Sequence, residues 1–183
     1  MSTFSSGWYL IYTRPRLEKK VVEQLATRGV SCYLPMVRAS RQWSDRKKIL
    51  TTPLFPSYVF VYLRNTSEYF AGQQTDGVVN YVRFGKSVAM VREKVINNIR
   101  LVIDECDEID VSSEYFRQGQ QLIIQEGPLA GLSCEMVQYK GKDKALVRVD
   151  LLQRSLLVDI QSAMLKVEVE SDELAAGMAI GRS

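Results

Sequence analysis

Three observations predict an α+β fold in two parts, an antiparallel sheet with flanking helices followed by a small all-β barrel. An aromatic and β-branched run, Trp8-Tyr9-Leu10-Ile11-Tyr12, feeds directly into an amphipathic helix. A second such run, Tyr58 to Leu63, is entered through Pro53-Leu54-Phe55-Pro56 and reads as a central strand. Beyond the acid-rich stretch Asp104 to Glu114 the pattern changes to short β-like runs separated by Gly-Pro and Lys-Gly-Lys punctuation.

In chain order, Thr13-Arg14-Pro15 ends the first strand, because proline cannot extend a ladder but can open a helix. From Arg16 to Arg28, Leu17, Val21, Val22, Leu25 and Ala26 recur at helical spacing, and Gly29 supplies the stop. Val30 to Leu34 is a short strand. Arg38 to Lys48 is basic with little apolar pattern and reads as a loop or an exposed hairpin. Ser67 to Thr75 suggests a short helix, and Val78 to Phe84 a strand turned at Gly85. Arg92 to Glu108 places Val95, Ile96, Ile99, Val102, Ile103 and Cys106 at three-and-four spacing, a second long amphipathic helix. The barrel strands are expected at Gln121 to Ile124, Leu132 to Tyr139, Ala145 to Val149, Leu156 to Ile160 and Met164 to Val167. The resulting domains are 1–108, a linker at 109–116, 117–168, and a loose tail at 169–183.

Composition narrows the function. The 183 residues contain no histidine, which removes the commonest general base and metal ligand. Cys32, Cys106 and Cys134 are odd in number and never spaced as C-x-x-C, so neither a disulfide framework nor a zinc site is suggested. No apolar run is long enough for a membrane span, and Met1 to Gly7 lacks a signal-peptide layout, so a cytoplasmic protein without enzymatic activity, metal or cofactor is expected. The net charge of +3 conceals a concentration of cations between Arg14 and Lys48, enough to attract a nucleic-acid backbone or simply to solvate a face.

Two motifs in order carry a resemblance. Trp8-Tyr9, a basic helix, and Leu54-Phe55-Pro56-Ser57-Tyr58-Val59-Phe60-Val61 together resemble the N-terminal (NGN) domain of the NusG/RfaH family, with Ser57 in place of the usual glycine. Gly77-Val78-Val79-Asn80-Tyr81-Val82-Arg83-Phe84-Gly85 is similar to the matching segment of the RfaH branch. Gly127-Pro128-Leu129-Ala130-Gly131-Leu132 is similar to the opening turn of a KOW motif, although Cys134 falls where that motif has glycine. Where the RfaH branch carries a His-Thr-Thr-Thr contact to the far side of the polymerase cleft, this chain has Glu68-Tyr69-Phe70-Ala71. The Pro-Leu-Ala-Gly-Leu turn, Lys140-Gly141-Lys142 and Leu157-Val158-Asp159-Ile160 most resemble antiterminators of capsular-polysaccharide loci, the UpxY group.

The resemblance implies an elongation and antitermination factor that docks on the clamp helices of RNA polymerase and suppresses pausing. The implied clamp-binding residues are Tyr12, Leu54, Phe55 and Pro56, flanked by Val95, Ile96 and Ile99. On residue type alone the same side chains read as core, and Phe55 is the one expected to be exposed. Arg14, Arg16, Lys19 and Lys20 are implied contacts to the non-template DNA strand, giving affinity without sequence information. Arg38, Arg41, Arg46, Lys47 and Lys48, with Trp43, add a basic surface. The KOW domain implies a second partner, a ribosomal protein or a termination factor, and the chain is expected to be a monomer. The competing expectation is a ribosome- or RNA-binding KOW protein. A helical alternative for Asp150 to Leu157, which would allow the second domain to switch fold, is the lesser expectation because glycine and β-branched residues favour strands.

Overall fold

The computed structural model describes residues 4–43, 46–117, 119, 121–159 and 167–169; for 39–43, 46–49 and 167–169 only the backbone is described. The chain begins with β1 (Gly7–Thr13), α1 (Glu18–Thr27), β2 (Ser31–Tyr33), the pair β3 (Met36–Trp43) and β4 (Arg46–Pro53), and β5 (Tyr58–Leu63). It continues with α2 (Thr66–Gln73), β6 (Val78–Tyr81), β7 (Arg83–Phe84), β8 (Ser87–Val88), β9 (Met90–Val91) and α3 (Glu93–Glu105).

The first sheet is antiparallel, ordered β2-β5-β1-β6, with β9 also paired to β1. Both of its faces are covered, which is why β1 and β5 are apolar almost throughout rather than alternating. Trp8 and Leu10 of β1 join Phe60 of β5 and Ile96, Ile99 and Val102 of α3 in one core. Tyr9 and Ile11 join Val59, Val61 and Leu63 with Val21 and Leu25 of α1 in the other. Each fully buried aliphatic side chain contributes about 1.5 to 3 kcal/mol of transfer free energy. The one-turn spacing of Val21 and Leu25 is thus what holds α1 to the sheet, and Gly29, at φ +78, ends that helix in a conformation costly for other residues.

Several expectations are corrected. Arg16 is not helical but left-handed (φ +66), and α1 begins at Glu18, whose carboxylate turns inward instead of facing solvent. The expected strand Val78 to Phe84 is broken at Val82, whose N–H donates to Leu10 O (2.8 Å), so Arg83 and Phe84 leave the sheet as the first arm of a small hairpin. For the basic segment, the hairpin alternative is met: its described residues, 38–43 and 46–48, lie in the β3–β4 hairpin, paired from Met36↔Pro53 to Trp43↔Arg46.

The second sheet has six antiparallel strands, β10 (Asp110–Ser112), β11 (Gln121–Ile124), β12 (Ser133–Tyr139), β13 (Lys142–Val149), β14 (Arg154–Asp159) and β15 (Val167–Val169), ordered β10-β14-β13-β12-β11-β15. Among the described residues β10 and β15 do not pair, so closure of the expected small barrel is not found there. The stretch 109–116, expected as a linker, supplies the edge strand β10. Its Asp110 is held by Lys144 Nζ at 2.7 Å, and Lys144 also faces Asp159 at 3.4 Å across the β13–β14 ladder. Acidic composition made this segment read as a solvated hinge, and the cation that compensates it comes from far along the chain. The lesser expectation of a helix at Asp150 to Leu157 is also corrected: only Asp150–Leu152 form a single 3-10 turn, closed by Gln153 at φ +49, before β14 begins. The tail expected at 169–183 lies outside the described residues apart from Val169 in β15.

The apolar core on the α3 side of the first sheet runs on without a break into the second sheet, through Ile124, Leu132, Cys134, Ala145, Val147, Leu156 and Val158. Helix α3 therefore serves both sheets, and its buried Asn98 meets the backbone of Ser133 in β12.

Candidate functional site

The Leu-Phe-Pro entry to β5 is a tight turn tied at four points. Leu54 N–H donates to Pro35 O (2.8 Å), Tyr58 N–H to Phe55 O (3.2 Å), Thr13 N–H to Ser57 O (2.8 Å), and Ser57 N–H to the Glu18 carboxylate (2.7 Å). Ser57 sits at φ +68, the left-handed region that glycine enters freely and serine at a cost. The buried carboxylate of Glu18 satisfies a backbone donor that would otherwise be unpaired between strand and helix.

This geometry sorts the four sequence-assigned residues. Tyr12 is 36% exposed and Pro56 is exposed, whereas Leu54 and Phe55 are buried. Phe55, expected at the surface, is only 3% exposed and packs edge-on to Phe60, 6.2 Å between ring centroids. The left-handed Ser57 reverses the chain so that the side chain before Pro56 points down into the α3-side core. Tyr58, which sequence reasoning did not assign to the site, supplies the missing surface: its ring tilts against Tyr12 at 5.3 Å. The accessible apolar patch is therefore Tyr12, Tyr58 and Pro56, with Phe55 beneath. Ile96 and Ile99 are fully buried in the same core, and Val95 packs on it partly exposed.

The cations lie beside this patch, at the end of β1 and the start of α1. Arg14, Arg16, Lys19 and Lys20 are all exposed. Lys20 is paired with Asp76 at 2.8 Å, and that hydrogen bond, with the charge of Lys20, holds the Asp76 carboxyl below its usual range. Arg16 and Lys19 have no ion pair among the described residues. Of the basic β3–β4 hairpin, Arg38 is exposed, and the side chains of Arg41, Trp43, Arg46, Lys47 and Lys48 lie outside the described residues. On α2, Tyr69 stacks on Tyr81 (4.5 Å, 18°), which leaves Phe70 projecting into solvent.

A cleft of about 570 Å³ opens beside the contact of α3 with the second sheet, lined among others by Arg92, Asn98, Tyr115, Glu135 and Arg148. Its polar floor is already satisfied. Glu135, 1% exposed, accepts from Arg148 Nε and Nη2, Gly119 N–H and Gln121 Nε2, while Arg148 also donates to the carbonyls of Phe116 and Arg117. Burial pushes the Cys134 thiol in its wall up to about 11, which leaves little thiolate for nucleophilic chemistry. Among the described residues no group of Cys, Asp and Glu is placed to hold a metal ion, and no helix is long and apolar enough to cross a membrane.

The arrangement is thus a rigid apolar patch beside a group of exposed cations, suited to holding macromolecules. Residues 6–100, more than half of the chain, match the family described as "Transcription termination factor nusG". The transcription termination/antitermination protein NusG of Lactococcus lactis subsp. lactis (strain IL1403) is 23% identical over 172 residues, covering 86% of this chain and 91% of that protein. Among solved structures, one titled "Domain interaction in Thermotoga maritima NusG" is 21% identical, covers 90% of this chain and 98% of its own, and superposes with a TM-score of 0.48. A chain of the MjSpt4:Spt5 complex is 15% identical over 90% of this chain and 97% of its own, with a TM-score of 0.36. The match across the whole first sheet, α1, α2, the first part of α3 and the turn that carries Leu54 to Ser57 places this chain in the NusG family of transcription termination and antitermination factors.

Proposed function

We propose that the chain is a non-enzymatic elongation and antitermination factor that docks on RNA polymerase through the Tyr12–Pro56 patch and bridges or closes the clamp. The observation that carries this reading is the patch itself: Tyr12 and Tyr58 in ring contact beside the exposed Pro56, braced from below by Phe55 and Phe60. Rigid aromatic surface presents large contact area at small entropic cost, which is what a binding hot spot requires. Arg14, Arg16 and Lys19, next to the patch, track the non-template DNA strand, and Lys20 joins them once its exposed pair with Asp76 is exchanged for phosphate. The second sheet is the docking module for a further protein, a ribosomal protein or a termination factor. Similarity to the UpxY group at Gly127 to Leu132 and Leu157 to Ile160 supports service to capsular-polysaccharide-type operons in the cytoplasm.

The test is single-round transcription with purified polymerase on templates bearing a pause site and a terminator. The protein is expected to shorten the pause and raise read-through, and Tyr12→Ala to abolish both effects without lowering the melting temperature. Unchanged pausing and termination at saturating protein would overturn the reading.

A further inference from the structure

The β7–β8 hairpin is a feature the reading above does not use. Phe84 is 83% exposed at its tip, and Arg83 and Lys86 on the same hairpin are both exposed. The hairpin is short, Arg83↔Val88 and Phe84↔Ser87, and Gly85 takes φ +60 at the first central position, where tight hairpin turns place glycine. Its base is rigid: Ala89 N–H donates to Val82 O (3.0 Å), Ala89 is buried, and Val88 packs on the α1-side core. The fixed mount holds the exposed phenylalanine in one place, as a contact element would.

Charge selects the occupant. Between Asp76 and Glu93 the chain carries no carboxylate side chain but three cations, Arg83, Lys86 and Arg92. A flat π-face with exposed cations on the same hairpin fits a stacked base with its flanking phosphates. The hairpin leaves the sheet at the middle of β1, where Val82 N–H donates to Leu10 O and β9 then pairs with Tyr9 and Trp8, whereas the Arg14 to Lys20 group follows the end of that strand.

We propose that Phe84, with Arg83 and Lys86, forms a second, separate contact for single-stranded nucleic acid, in which Phe84 stacks on an unpaired base. The proposal rests on the reading above only for its setting, a factor working beside an opened duplex.

The experiment measures binding of the full chain to a fluorescently labelled, mixed-sequence DNA single strand of about 12 nucleotides, within the range such sites cover. Phe84→Ala is expected to weaken binding about tenfold and Phe84→Leu equally, while Phe84→Trp retains it, all at unchanged melting temperature. Arg83→Gln with Lys86→Gln should lower the slope of log affinity against log salt by about 1.4, or 0.7 per lost phosphate contact. A 2-aminopurine in the strand should be quenched by the parent chain and not by Phe84→Ala. No measurable binding by the parent chain, or undiminished binding by Phe84→Ala, overturns the proposal. So does full binding by Phe84→Leu, which would show that an aromatic face is not what holds the strand. Polymerase co-purification with Tyr12→Ala is run beside it: loss of strand binding with Phe84→Ala and intact polymerase docking, or the reverse, assigns each failure to its own site.

Discussion

Asn98 of α3 and Ser133 of β12 exchange two hydrogen bonds across the junction of the two sheets. Asn98 Nδ2 donates to Ser133 O at 2.9 Å, and Ser133 N–H donates to Asn98 Oδ1 at 3.4 Å. With Asn98 only 9% exposed, this pair satisfies a backbone donor and acceptor at the point where β12 begins. Asn98→Ala should therefore leave both Ser133 groups unpaired and cost about 1 to 3 kcal/mol. The same change should speed limited proteolysis in the exposed connection between α3 and β10, around Asp107 and Glu108, because the second sheet then loses its Asn98 link to α3. A melting curve and cleavage rate identical to the parent's would show that the pair contributes nothing.

The turn at Ser57 yields two opposite expectations. Ser57→Gly removes the left-handed penalty of roughly 1 to 2 kcal/mol but adds freedom to the unfolded chain, for a net gain of about 0.5 kcal/mol. Glu18→Ala leaves the Ser57 N–H without its carboxylate and should cost about 1.5 to 3 kcal/mol, the range for hydrogen bonds to charged groups. Chemical denaturation of both variants checks the signs. Destabilisation by Ser57→Gly would mean that the serine side chain, not the backbone, sets the turn.

Acid should act first on the second sheet, through Glu135. Burial raises its pKa, but the hydrogen bonds from Arg148, Gly119 and Gln121 and the charge of Arg148 outweigh burial, and the net shift is downward from the usual 4.5. A lowered folded-state pKa gives stability that is fully present above the unfolded value and lost as pH falls through the folded one. The melting temperature should drop as pH is taken below about 4, with Glu135→Gln less sensitive over that range. At neutral pH Glu135→Gln leaves Arg148, a quarter exposed, without its anion and should cost about 2 to 3 kcal/mol, below the 3 to 5 of a fully buried broken pair. Equal acid sensitivity in parent and variant would assign the effect to other carboxylates.

The parts of this fold that were legible in the sequence are those set by local pattern. Trp8 to Tyr12, the Val21–Leu25 helix stripe, Gln121 to Ile124 and the apolar face of α3 all carry their period or their β-branched run on the surface of the sequence, and each is found where expected. What was not legible depends on partners distant in the chain. Asn98 breaks the apolar period of α3 and reads as an outward residue until Ser133 is placed against it. Asp110 reads as a solvated acid until Lys144 arrives on β13. Left-handed Arg16 has no signature in residue type, that of Ser57 shows only in the glycine usual at its place, and the inward turn of Phe55 is visible only in the structure. Strand number alone does not decide whether a small sheet closes, since closure depends on register and stagger. The apolar surface patch was therefore only half readable: Tyr12 and Pro56 stand at the surface, but Tyr58 took the place expected for Phe55.

The burial of Phe55 turns it from an anchor into a support, and this separates two variants that the sequence would treat alike. Phe55→Ala removes a nearly enclosed ring that packs on Phe60, and should cost about 3 to 5 kcal/mol of folding stability. Polymerase binding then fails because the turn collapses and Pro56 and Tyr58 lose their position. Tyr12→Ala trims a ring already more than one-third in solvent and should leave stability within about 1 kcal/mol, yet remove about 2 to 4 kcal/mol of polymerase binding if Tyr12 is the anchor of the patch. Phe55→Leu keeps most of the volume and should restore the fold and, with it, the binding. Thermal unfolding measured beside polymerase pull-down distinguishes the roles. A Phe55→Leu variant that melts normally but no longer binds would return Phe55 to the interface, because only direct contact with the partner would then explain the loss.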